Sequence, residues 1–226
     1  MLNVPATKMK RSPVRREDIV NAAAKLFSES GYESTSVRTI ARAVGLSVAS
    51  LFHHYASKDA LLEAVIRRGL EIGMADVVAG LEGKTTPLTR LRALVHVHIR
   101  LVNGENRHIH RVWTVEWLKL SMEARGRLEM KSDEYRVIFH NTMRILFDNG
   151  HIYAEPNLSG HLLMPALNWS RTWIRSLSDE PDKHLIDSIC AAFLNIPVDE
   201  FQLRLVHDRG GRQSHPLGGR SPRGSK

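Results

Sequence analysis

Residues 35–59 read TSVRTIARAVGLSVASLFHHYASKD, two short runs of helical periodicity separated by Gly-Leu-Ser. In the first run Thr35 or Ser36 is placed to cap, and Val37, Ile40, Ala41 and Val44 fall on one face. Gly45 suits the left-handed backbone needed for a sharp turn, because it has no Cβ to clash. Leu46 then plugs the corner, Ser47 caps the second run, and Leu51 returns to the core ten residues after Ala41. This spacing describes a helix-turn-helix whose second helix is carried outward toward a DNA major groove. Taken alone it also fits an ordinary αα-hairpin. In the first reading Val48, Ala49, Ser50, His53 and His54 face bases and backbone, with Ser36 and Ser47 at the helix starts beside them.

Upstream, Ser12-Pro13 reads as a cap followed by proline at the first helical position. Ile19, Ala22, Ala23, Leu26 and Phe27 make one face before Gly31. Downstream, Ser57 is placed to cap a long helix over 58–81, with Leu61, Leu62, Val65, Ile66 and Ile72 inward. Further helices are predicted over 87–103, 107–124, 131–149, 157–178 and 182–195. Their breaks fall at Gly83/Pro87, Gly104, Gly126, Gly150/Pro156 and Pro181. No run alternates at period two, so the reading is all-α with about nine helices. It divides into a basic arm at 1–12, a helix-turn-helix domain at 13–57, a larger helical domain at 58–205, and a Gly, Ser, Pro and Arg tail at 206–226, expected to be disordered.

The 226 residues are 42% apolar, enough for a real core. Charge breaks every long apolar stretch, so neither a signal peptide nor a membrane span is expected. The single Cys190 excludes an internal disulfide and fits a reducing cytoplasm. The formal charge of +8 is concentrated at the ends: +5 over 1–16 and +4 over 207–226, leaving 17–206 at about −1. Each basic end is read as a DNA-phosphate contact or as a solvated extension.

The surroundings of the quoted stretch carry a resemblance. Ala-Ala-x-x-Leu-Phe, Gly31-Tyr32, Thr35-Ser36-Val37, Ile40-Ala41, Gly45-Leu46-Ser47, Ser50-Leu51-Phe52 and Tyr55-x-x-Lys58-Asp59-x-Leu61 occur in order. Over about residues 15–66 the chain resembles the DNA-binding domain of the tetracycline-repressor (TetR) family of bacterial transcriptional regulators. The resemblance implies that Arg38 touches a base or phosphate and that Lys58 holds a phosphate oxygen. Phe52 departs from the pattern. Many relatives carry tyrosine there, whose hydroxyl reaches phosphate, whereas a phenyl packs on sugar or a thymine methyl. Tyr55 is read as core rather than DNA contact, and His53 as a phosphate donor or a solvated surface group.

One such module presents too little surface for selective affinity, so a homodimer with recognition helices roughly 34–36 Å apart on a palindromic operator is expected. The rest of the chain is implied to be a ligand-binding and dimerisation domain. Leu158, Leu162, Ala166, Trp169, Trp173 and Leu177 make one apolar stripe and Leu163, Leu167 and Ile174 a second, so that helix must be buried on two sides. With Leu185, Ile189, Ala192 and Phe193 of the next helix it would form half of a four-helix dimer bundle. Pro165 is expected to bend it.

Candidate ligand contacts are His98, Trp113, Trp117, Phe139, Trp169 and Trp173, each of which also fits plain core or dimer packing. Tyr135, Phe139, Thr142 and Leu146 form one such stripe. Ala-Leu-Asn-Trp-Ser-x-x-Trp at 166–173 is similar to a segment of regulators that sense acyl-CoA thioesters of lipid or steroid catabolism. Arg100, Arg107, Arg111, Arg171 and Arg175 would then serve the CoA phosphates. Another hydrophobic or aromatic inducer fits equally. His96/His98 and His108/His110 are spaced i, i+2, which points them apart on a helix, so neither metal nor cofactor is expected. With no Gly-rich phosphate loop and no nucleophile elbow, the expected function is a ligand-released repressor rather than an enzyme or ligand carrier.

Overall fold

The computed structural model describes residues 14–174 and 181–210, and every described element is helical. The helices are α1 (Arg16–Ser30), α2 (Val37–Ala43), α3 (Val48–His54), α4 (Lys58–Leu81), α5 (Pro87–Asn103), α6 (Arg107–Glu116), α7 (Met122–Asp148), α8 (Pro156–Asn168), α9 (Ser170–Trp173), α10 (Lys183–Leu194) and α11 (Val198–Gly210). A 3-10 turn at Trp117–Lys119 links α6 to α7. No described helix is long and apolar enough to cross a membrane.

Eleven α-helices among the described residues replace the nine expected, and each difference has a local cause. The first described helix begins at Arg16; Ser12 and Pro13, expected to open it, lie outside the described residues. The Asp18 carboxylate accepts the Arg15 backbone N–H at 2.8 Å, the acidic half of a capping box, and fixes the helix start there. The helix expected over 107–124 stops at Glu116, and α7 starts at Met122, where the Ser121 hydroxyl caps the Ala124 N–H at 3.1 Å. Gly126 sits inside α7 instead of breaking it, at a helix-interior cost of only about 1 kcal/mol.

The helix expected over 157–178 ends at Asn168, three residues beyond Pro165, and resumes briefly as α9. Helix α11 lies outside the expected set and extends past the expected domain boundary at 205 to Gly210. Its signals were legible: Asp199 and Glu200 in the first turn, and Phe201 and Leu205 one turn apart and buried. The arm at 1–12, the tail beyond 210, Arg175 and Leu177 lie outside the described residues.

Two apolar cores organise these helices. The first gathers Ile19, Ala23, Phe27, Ile40, Ala41 and Leu51 from α1–α3 against Leu61, Leu62, Val65 and Ile66 of α4. The second gathers Leu91, Leu94 and Val95 of α5, Tyr135, Phe139 and Met143 of α7, Leu163 and Leu167 of α8, and Ile186, Cys190 and Phe201 of α10 and α11. Helix α4, about 36 Å long at 1.5 Å per residue, contributes Leu62 to one core and Val77 to the other. Trp113 packs against both. At the far side Asp187 of α10 accepts from the Arg92 Nε of α5 at 2.6 Å and the Gln202 Nε2 of α11 at 3.0 Å, a buried polar junction that periodicity cannot reveal.

Candidate nucleic-acid interface and buried aromatic cluster

The turn before α3 is built as its residues dictate. Gly45 has φ +72°, where a Cβ would be strained. The Leu46 N–H reaches back to the Ala41 carbonyl at 2.9 Å. Ser36 caps α2 by accepting the Thr39 N–H at 3.1 Å, and Ser47 caps α3 by accepting the Ser50 N–H at 3.0 Å. Leu51 alone on α3 is fully buried, so it anchors the helix while the remaining faces stay outward.

Those outward faces hold most of the expected DNA residues. Arg38, Ser36, Ser47, Ala49 and His53 are exposed, Phe52 is 44% exposed, and Val48, Ser50 and His54 are half-buried. Lys58 is half-buried too: its ammonium lies 4.2 Å from the centre of the Tyr32 ring and donates to the Glu33 carbonyl at 3.2 Å. Tyr32 in turn donates its hydroxyl to Asp59, and burial with that carboxylate pushes the phenol above its ordinary range. Tyr55 is half-buried rather than fully in the core, with the Arg16 guanidinium 5.4 Å from its ring centre.

Arg16 reads in the sequence only as one cation of the basic N-terminal end. It donates to the His54 carbonyl at 2.9 Å and so fixes the end of α3 from α1. Arg42, exposed in the last turn of α2, is a second cation on this side of the module. Helix α6 supports the module from behind. The Ser28 hydroxyl and the His108 Nδ1 are 2.6 Å apart, Arg111 donates to the Ser28 carbonyl at 3.1 Å, and Glu116 accepts the Tyr32 N–H at 3.1 Å.

The expected ligand contacts divide into two sets. His98, Trp113 and Phe139 come together with Tyr135 and His110 in the second core. His98 and His110 meet edge to face at 5.3 Å, His98 and Phe139 at 5.6 Å, and Trp113 and Tyr135 at 5.0 Å. His98 is satisfied on both ring nitrogens. Its Nε2–H donates to the Asn168 Oδ1 at 2.7 Å, and its Nδ1 accepts the Tyr135 hydroxyl at 3.0 Å. Burial lowers its pKa to about 4 and pushes that of His110 well down.

Trp117 is half-buried and belongs to the first core, away from that cluster. Trp169 and Trp173 are 63% and 49% exposed and stand apart from that cluster. The reason is the break after Asn168. Asn168 is held by His98 and the fully buried Ser170 by the Asn103 side chain at 3.0 Å, so the tryptophan between them turns outward. Of the two stripes on this segment, Leu163 and Leu167 are buried whereas Leu158 and Leu162 are exposed. On α10 the buried set is Ile186, Cys190, Ala191 and Leu194, while Leu185, Ile189 and Phe193 are half-buried and Ala192 is exposed. Among the described residues no three metal-ligating side chains cluster.

Comparison with known proteins agrees with this geometry. The sequence model of the family described as bacterial regulatory proteins, tetR family, matches residues 19–65, and that of a tetracyclin repressor-like C-terminal domain matches 84–196. The HTH-type transcriptional regulator BetI of Rhizobium meliloti is 37% identical over 93 residues, 41% of this chain and 46% of that protein, so the chain matches less than half of that relative's length. The HTH-type transcriptional repressor KstR2 of Mycobacterium tuberculosis is 26% identical over 71% of this chain and 78% of its own. The crystal structure of AibR in complex with isovaleryl coenzyme A and operator DNA has the same fold. It superposes with a TM-score of 0.71 at 24% identity, over 78% of this chain and 96% of that one.

Proposed function

The chain belongs to the tetR family of bacterial regulatory proteins, and we propose from that premise that it is a homodimeric, sequence-specific transcriptional repressor released from a palindromic operator by a small-molecule inducer. The observation that carries the reading is α3, seated by the buried Leu51 and the half-buried Val48, with Ala49, Phe52 and His53 exposed beside Arg38 of α2. Two such helices, one per protomer, are needed to read a site with useful specificity.

The dimer face we assign is the outward side of α8 and α9, with Leu158, Leu162, Trp169 and Trp173, continued by the half-buried Leu185, Ile189 and Phe193 of α10. Exposed large apolar side chains at helical spacing are what an unpaired bundle half presents. An inducer acts by binding better to the arrangement in which the recognition helices miss their groove spacing. It shifts the equilibrium only by that affinity difference. Helix α4, which starts at Lys58 and enters the second core, and α6, which props α1, are the elements that link the two ends.

For the inducer we favour an acyl-CoA thioester of lipid or steroid catabolism. The support is the Ala-Leu-Asn-Trp-Ser-x-x-Trp segment and the likeness of fold to AibR. Another hydrophobic or aromatic small molecule is the second reading, favoured by the aromatic character of the His98 cluster. Gel shift on the DNA upstream of the protein's own gene tests the regulator: sequence preference over competitor DNA is expected, and its absence sinks the reading. A thermal-shift panel of free acids against their CoA thioesters tests the ligand class. Stabilisation by the acids alone removes the thioester.

A further inference from the structure

We propose that His110, packed edge to face on the already satisfied His98, is the polar contact of an internal ligand site that recognises a hydroxyl group on an otherwise apolar small molecule, an inference that rests on the ligand-responsive reading above and names its polar contact. On an acyl thioester that hydroxyl would sit on the acyl body.

His110 is 5% exposed, and its Nε2 has no hydrogen-bond partner among the described residues. A ring nitrogen left so in a core is costly, and such groups in native proteins call for a partner. His98 cannot supply one, because its two nitrogens are committed to Tyr135 and Asn168. The tautomer of His110 decides whether Nε2 donates or accepts, and a hydroxyl alone among simple oxygen groups answers both.

The walls argue for an apolar body around that hydroxyl. Trp113 lies edge to face on His110 at 5.6 Å, and Tyr135 and Phe139 close the other side of His98. Desolvation keeps both imidazoles neutral, so a carboxylate would enter with no counter-charge from them. The wall that must yield is Trp113. A Cβ at Gly69 would meet its Cβ at 3.3 Å, and one at Gly73 would meet its ring at 3.2 Å, so the indole rests on a glycine face of α4. Met74 and Ile138, packed on the same core, also line an open surface groove of about 840 Å³ with Met130 and Val137, rimmed by the carboxylates Glu129, Asp133 and Glu134.

The test uses the full-length protein with benzyl alcohol, ethylbenzene and benzoate as probes, read by imidazole ¹⁵N NMR and tryptophan fluorescence. Benzyl alcohol is expected to bind, to shift the ring nitrogens of His110 and to quench Trp113. His110→Phe should weaken the alcohol roughly tenfold while leaving ethylbenzene within about twofold, and His110→Gln should retain most of the alcohol affinity. Equal affinity of the wild type for alcohol and ethylbenzene, preference for benzoate, alcohol binding indifferent to His110→Phe, or no alcohol binding at all would each overturn the proposal and leave His110 a water-satisfied core residue. Sequence-selective DNA binding by the unliganded wild type is a separate readout. Its loss would remove the regulator while leaving the hydroxyl site standing.

Discussion

The Glu63 carboxylate on α4 accepts two hydrogen bonds from the Arg127 guanidinium on α7, at 3.0 and 2.6 Å, and a further one from Arg67 a turn along its own helix. This fork ties α4, which leaves the helix-turn-helix, to α7, the longest of the described helices. The Arg127 hydrogen bonds hold the Glu63 carboxyl below its ordinary range. Because the folded pKa is depressed, the stabilisation is complete above the unfolded value near 4.3 and is lost as pH falls through the folded one. Glu63→Gln should therefore cost about 1 kcal/mol at pH 7, the upper end for a solvent-screened pair. Urea melts should show that difference closing in acid; a gap that persists there would rule out the charge as its cause.

Phe52 is exposed beside His53 with no hydroxyl to give to a phosphate. Phe52→Tyr should tighten operator binding by roughly tenfold, the low end for one hydrogen bond to a charged acceptor. It should do so without changing which operator is preferred, because a phosphate contact carries no base information. Fluorescence anisotropy on the operator and on a scrambled duplex measures both.

Leu162 stands on the outward side of α8 and Trp169 caps its C-terminal end, and both are exposed. Leu162→Glu should convert dimer to monomer in sedimentation velocity with helical circular dichroism intact, and specific operator binding should disappear with the dimer. A charged variant that remains dimeric would displace the interface from this face.

His98 is buried, neutral and low in pKa, so the folded state binds fewer protons than the unfolded state below about pH 6.5. Its contribution is therefore present above pH 6.5 and is lost as pH falls toward about 4, with an upper limit of about 3 kcal/mol. His110, 5.3 Å away, acts in the same direction. His98→Gln, which keeps a donor and an acceptor without titrating, should flatten denaturant stability across this window relative to wild type. Parallel curves would assign the acid sensitivity elsewhere.

The sequence by itself determined the helix-turn-helix, because that motif depends on neighbours within a few residues: Ser36 and Ser47 caps, a left-handed Gly45, and Leu51 in register with Ala41. It also fixed the all-α class and two-sided apolarity of residues 157–174. Local signals failed where distant partners choose among local options. Gly126 stays helical with nothing within 4 Å of where its Cβ would lie, while the chain bends at Ser121 instead. Tertiary structure alone decided which aromatic residues gather at His98 and which face outward. Periodicity gives a residue's angle about its own helix. The hydrogen bonds from His98 to Asn168 and from Asn103 to Ser170, which turn Trp169 away from the core, span 70 and 67 residues of chain.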